Sequence, residues 1–329
     1  MNESAASATL PPSSQIPMTF GQILDRIYRL MRSNLKLFVG IAAVPAAAFI
    51  PIIGLAFAVA FVPMIAQQES HSDPSALVYR LIPLFFIVSL LSMAVFALYL
   101  AASIHAASQV HMGLRATLSE AYSVAWKRGW RYLWLMFLGY LIAFAPILVA
   151  ELVIFVPMGL FSMNKATPPP AFFLLIPLGI LLFIAALVYG VIVALRLSLA
   201  FPASIAEDLK AWAAIRRSGR LTQGAKGRIF LVLLVIYALA YAAEMVVGIV
   251  LMVIFGIGAL AATALHIQLA SVAGIVGAGL AVVFLSALLF LWTALIWSAY
   301  STAFAVIYHD QRLRIDGPLQ ATSPAGVLA

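Results

Sequence analysis

The sequence predicts an all-α polytopic membrane protein, with six transmembrane helices built as three repeats of an amphipathic surface helix plus a helical hairpin. Three observations predict it. The chain is 65% hydrophobic and only 9% charged, whereas a soluble domain carries about 25% charged residues. Its apolar runs are continuous and exceed the roughly 20 residues that a helix needs to cross hydrocarbon; a transmembrane barrel would show short alternating segments instead. Basic residues gather at one end of these runs, as the positive-inside rule requires.

The same numbers exclude other classes. The net charge of +8 sits at the ends of apolar helices rather than on one soluble face, so the partners expected are membrane lipids with anionic headgroups, not nucleic acid. A membrane protein partner is the other candidate. The chain has no Cys, which removes disulfides, a thiol nucleophile and Cys-ligated metal. No cofactor is expected.

Taken in order, residues 1–18 form a polar tail of Ser, Ala and Pro with no basic n-region. It reads as disordered rather than as a signal peptide. Thr19 to Leu35 reads as an interfacial helix. Thr19 and Gln22 have capping-box spacing, and Phe20, Ile23, Leu24, Ile27 and Met31 recur on one face. Lys36 to Ala66 is the first span, with Pro45, Pro51 and Pro63 predicting kinks or a break. Leu81 to Val110 is the second. Thr117 and Glu120 repeat the capping spacing before Lys127, Arg128 and Arg131, with Trp126, Trp130 and Trp134 placed for headgroup depth. Tyr132 to Phe161 and Ala171 to Ala206 are spans three and four.

The segment KAWAAIRRSGRLTQGAKGRIF, Lys210 to Phe230, holds six of the 19 Lys and Arg residues. Its capping signal is weaker, with Asp208 the candidate N-cap. Ile229 to Leu260 and Ala270 to Ile307 are spans five and six. Lys36, Arg131 and Arg228 mark three nearly evenly spaced starts of membrane crossings. A single six-helix domain is therefore expected over 19–316, with a polar tail over 317–329. Only Arg80 and Lys165 among the 19 basic residues fall in outer loops, which puts both termini in the cytoplasm.

Candidate functional residues are few. Arg196, Glu244 and Glu151 lie within apolar runs, and an intramembrane charge asks for a partner. Glu244 lies about 24 Å and Glu151 about 30 Å from the basic end at the helical rise, and Arg196 about 15 Å, counted back from Glu207. Arg196 with Glu244 is the pair expected; snorkelling to the surface is the alternative for Arg196, and for Glu151 at the outer face. Arg216, Arg217, Arg220, Lys226 and Arg228 form a lipid-phosphate contact patch in one reading and topology charges in the other. The five His residues have no metal-site spacing. GIGALA at Gly256 to Ala261 and GIVGAG at Gly274 to Gly279 lack the strand–turn–helix context of a dinucleotide site and read as close helix contacts.

Three stretches, TFGQILDRIYRLMRSNLKLF, RLSLAFPASIAED with IRRSGRLTQGAKGRIF, and AFAVIYHDQRL, resemble the membrane domain fused to bacterial glycerophosphoryl diester phosphodiesterases and its stand-alone relatives. The resemblance runs roughly from Thr19 to Arg314. It implies a bacterial inner-membrane module without the soluble phosphodiesterase barrel, hence no enzyme and no catalytic residue carried over. A lipid- or partner-binding module is the function expected. The alternative is a small-solute or lipid transporter using Arg196 and Glu244.

Overall fold

The computed structural model describes residues 16–66, 74–163, 173, 175–264 and 272–317. Among these residues every long element is helical: α1 (Phe20–Ser33), α2 (Leu35–Ala66), α3 (Pro74–His111), α4 (Leu118–Lys127), α5 (Gly129–Met163), α6 (Leu175–Leu197), α7 (Ala200–Ala206), α8 (Ala211–Leu221), α9 (Lys226–Ala264) and α10 (Val272–Asp316). Six of the helices are long and apolar enough to cross a membrane. A short amphipathic helix precedes each of the three helix pairs, α1 before α2 and α3, α4 before α5 and α6, and α8 before α9 and α10. The expected disorder of 1–15, the tail over 318–329, and His71, Lys165 and His266 lie outside the described residues.

The helix starts follow their caps. The Thr19 backbone N–H donates to Gln22 Oε1 at 2.8 Å, and the Gln22 N–H donates to Thr19 Oγ1 at 3.4 Å, closing the capping box of α1. Thr117 Oγ1 accepts the Glu120 N–H at 3.3 Å at the start of α4. At α8 the cap position is Lys210, with no side-chain bond. Asp208 is not the cap, because its side chain is taken by Arg131 at 2.6 Å.

Of the kinks or break expected in the first span, the break does not occur: α2 runs unbroken through Pro45, Pro51 and Pro63. Each proline removes one donor from the ladder, and the remaining bonds carry the helix past it. The fourth span, read over Ala171 to Ala206, corresponds to an apolar stretch over Leu175–Ala206 in which the helix breaks after Leu197 and resumes as α7. In a continuous helix the Pro202 ring would collide with the Ser198 carbonyl. The chain tightens first, with the Ser198 N–H on Leu195 O at 3.4 Å and Ser198 Oγ on the same oxygen at 2.8 Å.

The chain falls into two compact units, Met1–Gly129 with Leu231–Ala329, and Trp130–Phe230. The smaller unit holds the second helix pair together with α7 and α8.

In the first unit, α3 and α10 meet through small side chains. Ala102, Ala106 and Ala107 of α3 and Ser298, Ser301 and Ala305 of α10 are all fully buried, and Ala107 clusters with Ala305. Small residues let helix backbones approach where hydrocarbon offers no hydrophobic drive between helices. The hydroxyls are satisfied within α10, Ser301 on Trp297 O at 2.9 Å and Thr302 on Ser298 O at 2.8 Å. The Tyr99 hydroxyl donates to Ala294 O and lies 2.9 Å from Ser298 Oγ. Phe38 of α2 fills the centre with Ala107 and Ala305. Tyr122 of α4 donates to Ile41 O at 2.7 Å, and burial pushes its phenol pKa up, so it remains a donor.

α1 lays Ile23, Ile27 and Leu30 into this same core. Much of its apolar face therefore meets protein, where a free interfacial helix would turn that face to lipid. Its start is latched to the end of α10: the Met18 N–H donates to Asp310 Oδ1 at 2.6 Å, Arg314 Nη2 donates to Met18 O at 2.7 Å, and Arg314 Nε donates to Asp310 Oδ2 at 3.0 Å. Asp310 is fully buried, so its charge depends on these donors. Asp310→Ala leaves the Met18 and Arg314 donors without their acceptor and should lower stability by about 2–3 kcal/mol. Thermal unfolding in detergent should fall by several degrees with faster proteolysis near Met18; an unchanged midpoint would rule the latch out.

Candidate functional site: a cationic pocket at the end of α6

The site belongs to the smaller unit. Its core joins Leu135 of α5 to Ala200 of α7 and Ala211, Ala214 and Ile215 of α8. Because α8 repeats at about 3.6 residues per turn, burying Ala211, Ala214, Ile215, Ser218 and Leu221 on one side leaves Arg216 and Arg220 exposed on the other.

Ser218 sets the register between α8 and the broken fourth span. It is fully buried. Its hydroxyl donates to Arg196 O at 2.7 Å and accepts the Leu199 N–H at 3.1 Å. A helix break strands carbonyls on one side and N–H groups on the other, and one hydroxyl satisfies one of each. Gly219, the next residue, lets Arg196 lie flat against α8: a Cβ there would stand 3.0 Å from Arg196 Nε and 3.6 Å from Nη2.

The result is a pocket of about 550 Å³ lined by Arg196, Ala213, Arg216, Gly219, Arg220 and Gln223. Three guanidinium side chains border one cavity, and no carboxylate lines it. The acids nearby in sequence are engaged elsewhere. Arg217 Nε donates to both carboxylate oxygens of Glu207, at 2.9 and 3.0 Å. Arg131 Nη1 donates to Asp208 Oδ1 at 2.6 Å, and Arg131 Nη2 donates to Ser204 O at 3.4 Å. These bonds fix the turn that leads into α8. Asp208 adopts φ +55° there, a conformation that Asp and Asn tolerate better than other side chains bearing a Cβ.

The sequence-predicted patch is thus divided. Arg216 and Arg220 line the pocket. Arg217 does not, because it is bound to Glu207 at the rim of the unit's core. Lys226 and Arg228 open α9 and are not among the lining residues. Arg196, placed by its position in an apolar run at membrane depth, sits in the last turn of α6. The depth count assumed a helix continuous to Glu207, and the break at Ser198 removes that assumption. A cation in a last turn also meets the negative end of the helix dipole. Glu244 lies on α9 in the larger unit, so its expected partner Arg196 belongs to the other one. Glu151 is exposed on α5. Among the described residues, no group of three or more His, Asp or Glu side chains is placed to hold a metal.

Sequence reasoning missed that Arg196 belongs with the patch. The signal present, Pro202 six residues after Arg196 and the Ser218–Gly219 pair in the basic segment, does not by itself say where α8 docks.

No family model matches the chain, and neither a curated protein nor a solved structure matches it significantly.

Ser218→Ala removes an acceptor from the Leu199 N–H and a donor from Arg196 O, both in a buried setting, and should cost about 1–3 kcal/mol. Ser218→Thr, which keeps the hydroxyl, should lose less. The two midpoints in detergent check this, and Ala matching the native protein would contradict it. Gly219→Val should displace the Arg196 side chain while α8 stays helical by circular dichroism; loss of helix would contradict that.

Proposed function

We propose that this chain is a non-catalytic integral membrane module that binds anionic lipid headgroups in the Arg196–Arg216–Arg220 pocket. One observation carries the reading: the pocket stands at the head of an exposed apolar ridge. Ile180, Ile184, Val188 and Ile192 recur every four residues on α6 and are 54%, 53%, 57% and 48% exposed. The next step of the same ridge is Arg196. Each four-residue step drifts about 40° around the helix, so these side chains form a continuous row that winds along α6 to Arg196. An acyl chain lying along the ridge would bring its headgroup to the guanidiniums, which pair with phosphate oxygens through a planar fork.

The remaining parts of the reading follow from charge, which orients the chain, and from the family resemblance, which implies the membrane. The basic ends of the spans lie in the cytoplasm with both termini, and the membrane is the inner membrane of a bacterium. The resemblance to the membrane domain of glycerophosphoryl diester phosphodiesterases belongs to this proposal, and so does the absence of that family's hydrolytic activity. A membrane protein partner remains the second candidate ligand. The transporter reading relied on Arg196 and Glu244 lining one pathway, and the position of Arg196 beside α8 favours the headgroup role instead.

Native mass spectrometry of the detergent-extracted chain tests the pocket. Replacing Arg196, Arg216 and Arg220 together by Gln should cut retained anionic lipid at least about tenfold, a loss near 1.4 kcal/mol. A control replacing Arg29, Arg32 and Lys36 removes the same charge outside the pocket and should change retention by less than about twofold. Equal losses in the two variants would reduce the effect to overall charge and defeat the pocket.

A further inference from the structure

Resting on the lipid-binding reading, we infer that the pocket selects a phosphomonoester, a phosphate carrying close to two charges, over the singly charged phosphodiester of common anionic lipids.

The first reason is charge. Arg196, Arg216 and Arg220 line one cavity with no acid among the lining residues. Glu207 and Asp208 are bound to Arg217 and Arg131. A phosphodiester brings one charge and leaves two cations facing each other without compensation. A phosphomonoester brings about 1.5 to 2 negative charges at pH 7. Like charges confined to one pocket repel, and the second ligand charge offsets that repulsion.

The second reason is the count of oxygens. A monoester presents three terminal oxygens and a diester two. Three guanidiniums, each with a planar fork, match the larger set. The forks come from two elements: Arg216 and Arg220 stand one turn apart on α8, and Arg196 reaches across Gly219 from α6. Gln223 supplies an amide one further turn along. The cavity, about 550 Å³, falls within the range of small-molecule pockets, leaving room for glycerol beside the phosphate.

The same chemistry could come from a soluble phosphomonoester. The ridge of Ile180, Ile184, Val188 and Ile192 favours the lipid, because a soluble ligand gains nothing from an apolar stripe that ends at the phosphate site.

The test uses the full chain in nanodiscs of phosphatidylcholine with either phosphatidic acid or phosphatidylglycerol at matched surface charge, and reads the lipid held by native mass spectrometry. Phosphatidic acid should be retained about tenfold or more over phosphatidylglycerol at pH 7.5. The preference should shrink toward unity at pH 5, below the second phosphate pKa of about 6, because a guanidinium does not titrate in that range. Arg196→Gln should collapse the preference at pH 7.5, bringing phosphatidic acid retention down to within about threefold of the variant's own phosphatidylglycerol retention.

Equal retention of the two lipids at pH 7.5 would overturn the monoester inference and leave the lipid-binding reading standing. Retention of neither above phosphatidylcholine would overturn the lipid-binding reading itself. In a separate titration, inorganic phosphate displacing phosphatidic acid at equal concentration would assign the site to a soluble phosphomonoester and defeat the lipid source. Displacement only at a hundredfold excess or more supports the lipid.

Discussion

Hydrocarbon contact is the constraint that the rest of this structure answers. Side chains such as Leu181, Val246 and Met252 stand 64%, 61% and 77% exposed, a disposition that water would penalise at roughly 25 cal/mol per Å² of apolar surface. In lipid the same surface costs little, and the burden shifts to backbone polar groups, which must be satisfied inside the protein. Helices solve that problem over most of the chain. The places where helices end or break are then the costly ones, and three of them are closed by specific side chains: Thr19 with Gln22 at α1, Thr117 at α4, Ser218 at the break between α6 and α7.

Those closures also explain how charges come to share a pocket. Pro202 forces α6 to stop, the stop exposes an orphan carbonyl and N–H, and Ser218 docks α8 over them. Docking α8 carries Arg216 and Arg220 to Arg196, and Gly219 removes the Cβ that would keep them apart. Paired acids hold the turn before α8, with Glu207 on Arg217 and Asp208 on Arg131. Cations in excess are thereby left at the pocket. The site is a consequence of how one helix break is repaired.

The fold was legible because its signals are physical and local. Continuous apolar runs mark spans, and the capping spacings at Thr19 and Thr117 mark the starts of α1 and α4. Four things were not legible. The prolines of α2 predicted kinks or a break, and the break does not occur, because a helix survives the loss of isolated donors. The burial of α1 under Ile23, Ile27 and Leu30 depends on tertiary contacts, and an amphipathic pattern looks the same against protein as against lipid. Asp208 has cap chemistry but is captured by Arg131. The grouping of Arg196 with Arg216 and Arg220 depends on how α8 docks beside the break at Ser198, which no local pattern encodes.

The central claim is that the Arg196 pocket sits at the headgroup boundary, with the α6 ridge below it in hydrocarbon. The chain has no native cysteine, so single spin labels can be placed at Ile184→Cys, Val188→Cys and Ala213→Cys in lipid vesicles and compared for collisions with oxygen and with a water-soluble nickel complex. The account predicts high oxygen and low nickel access at positions 184 and 188, and the reverse at 213. Equal nickel access at all three positions would contradict it.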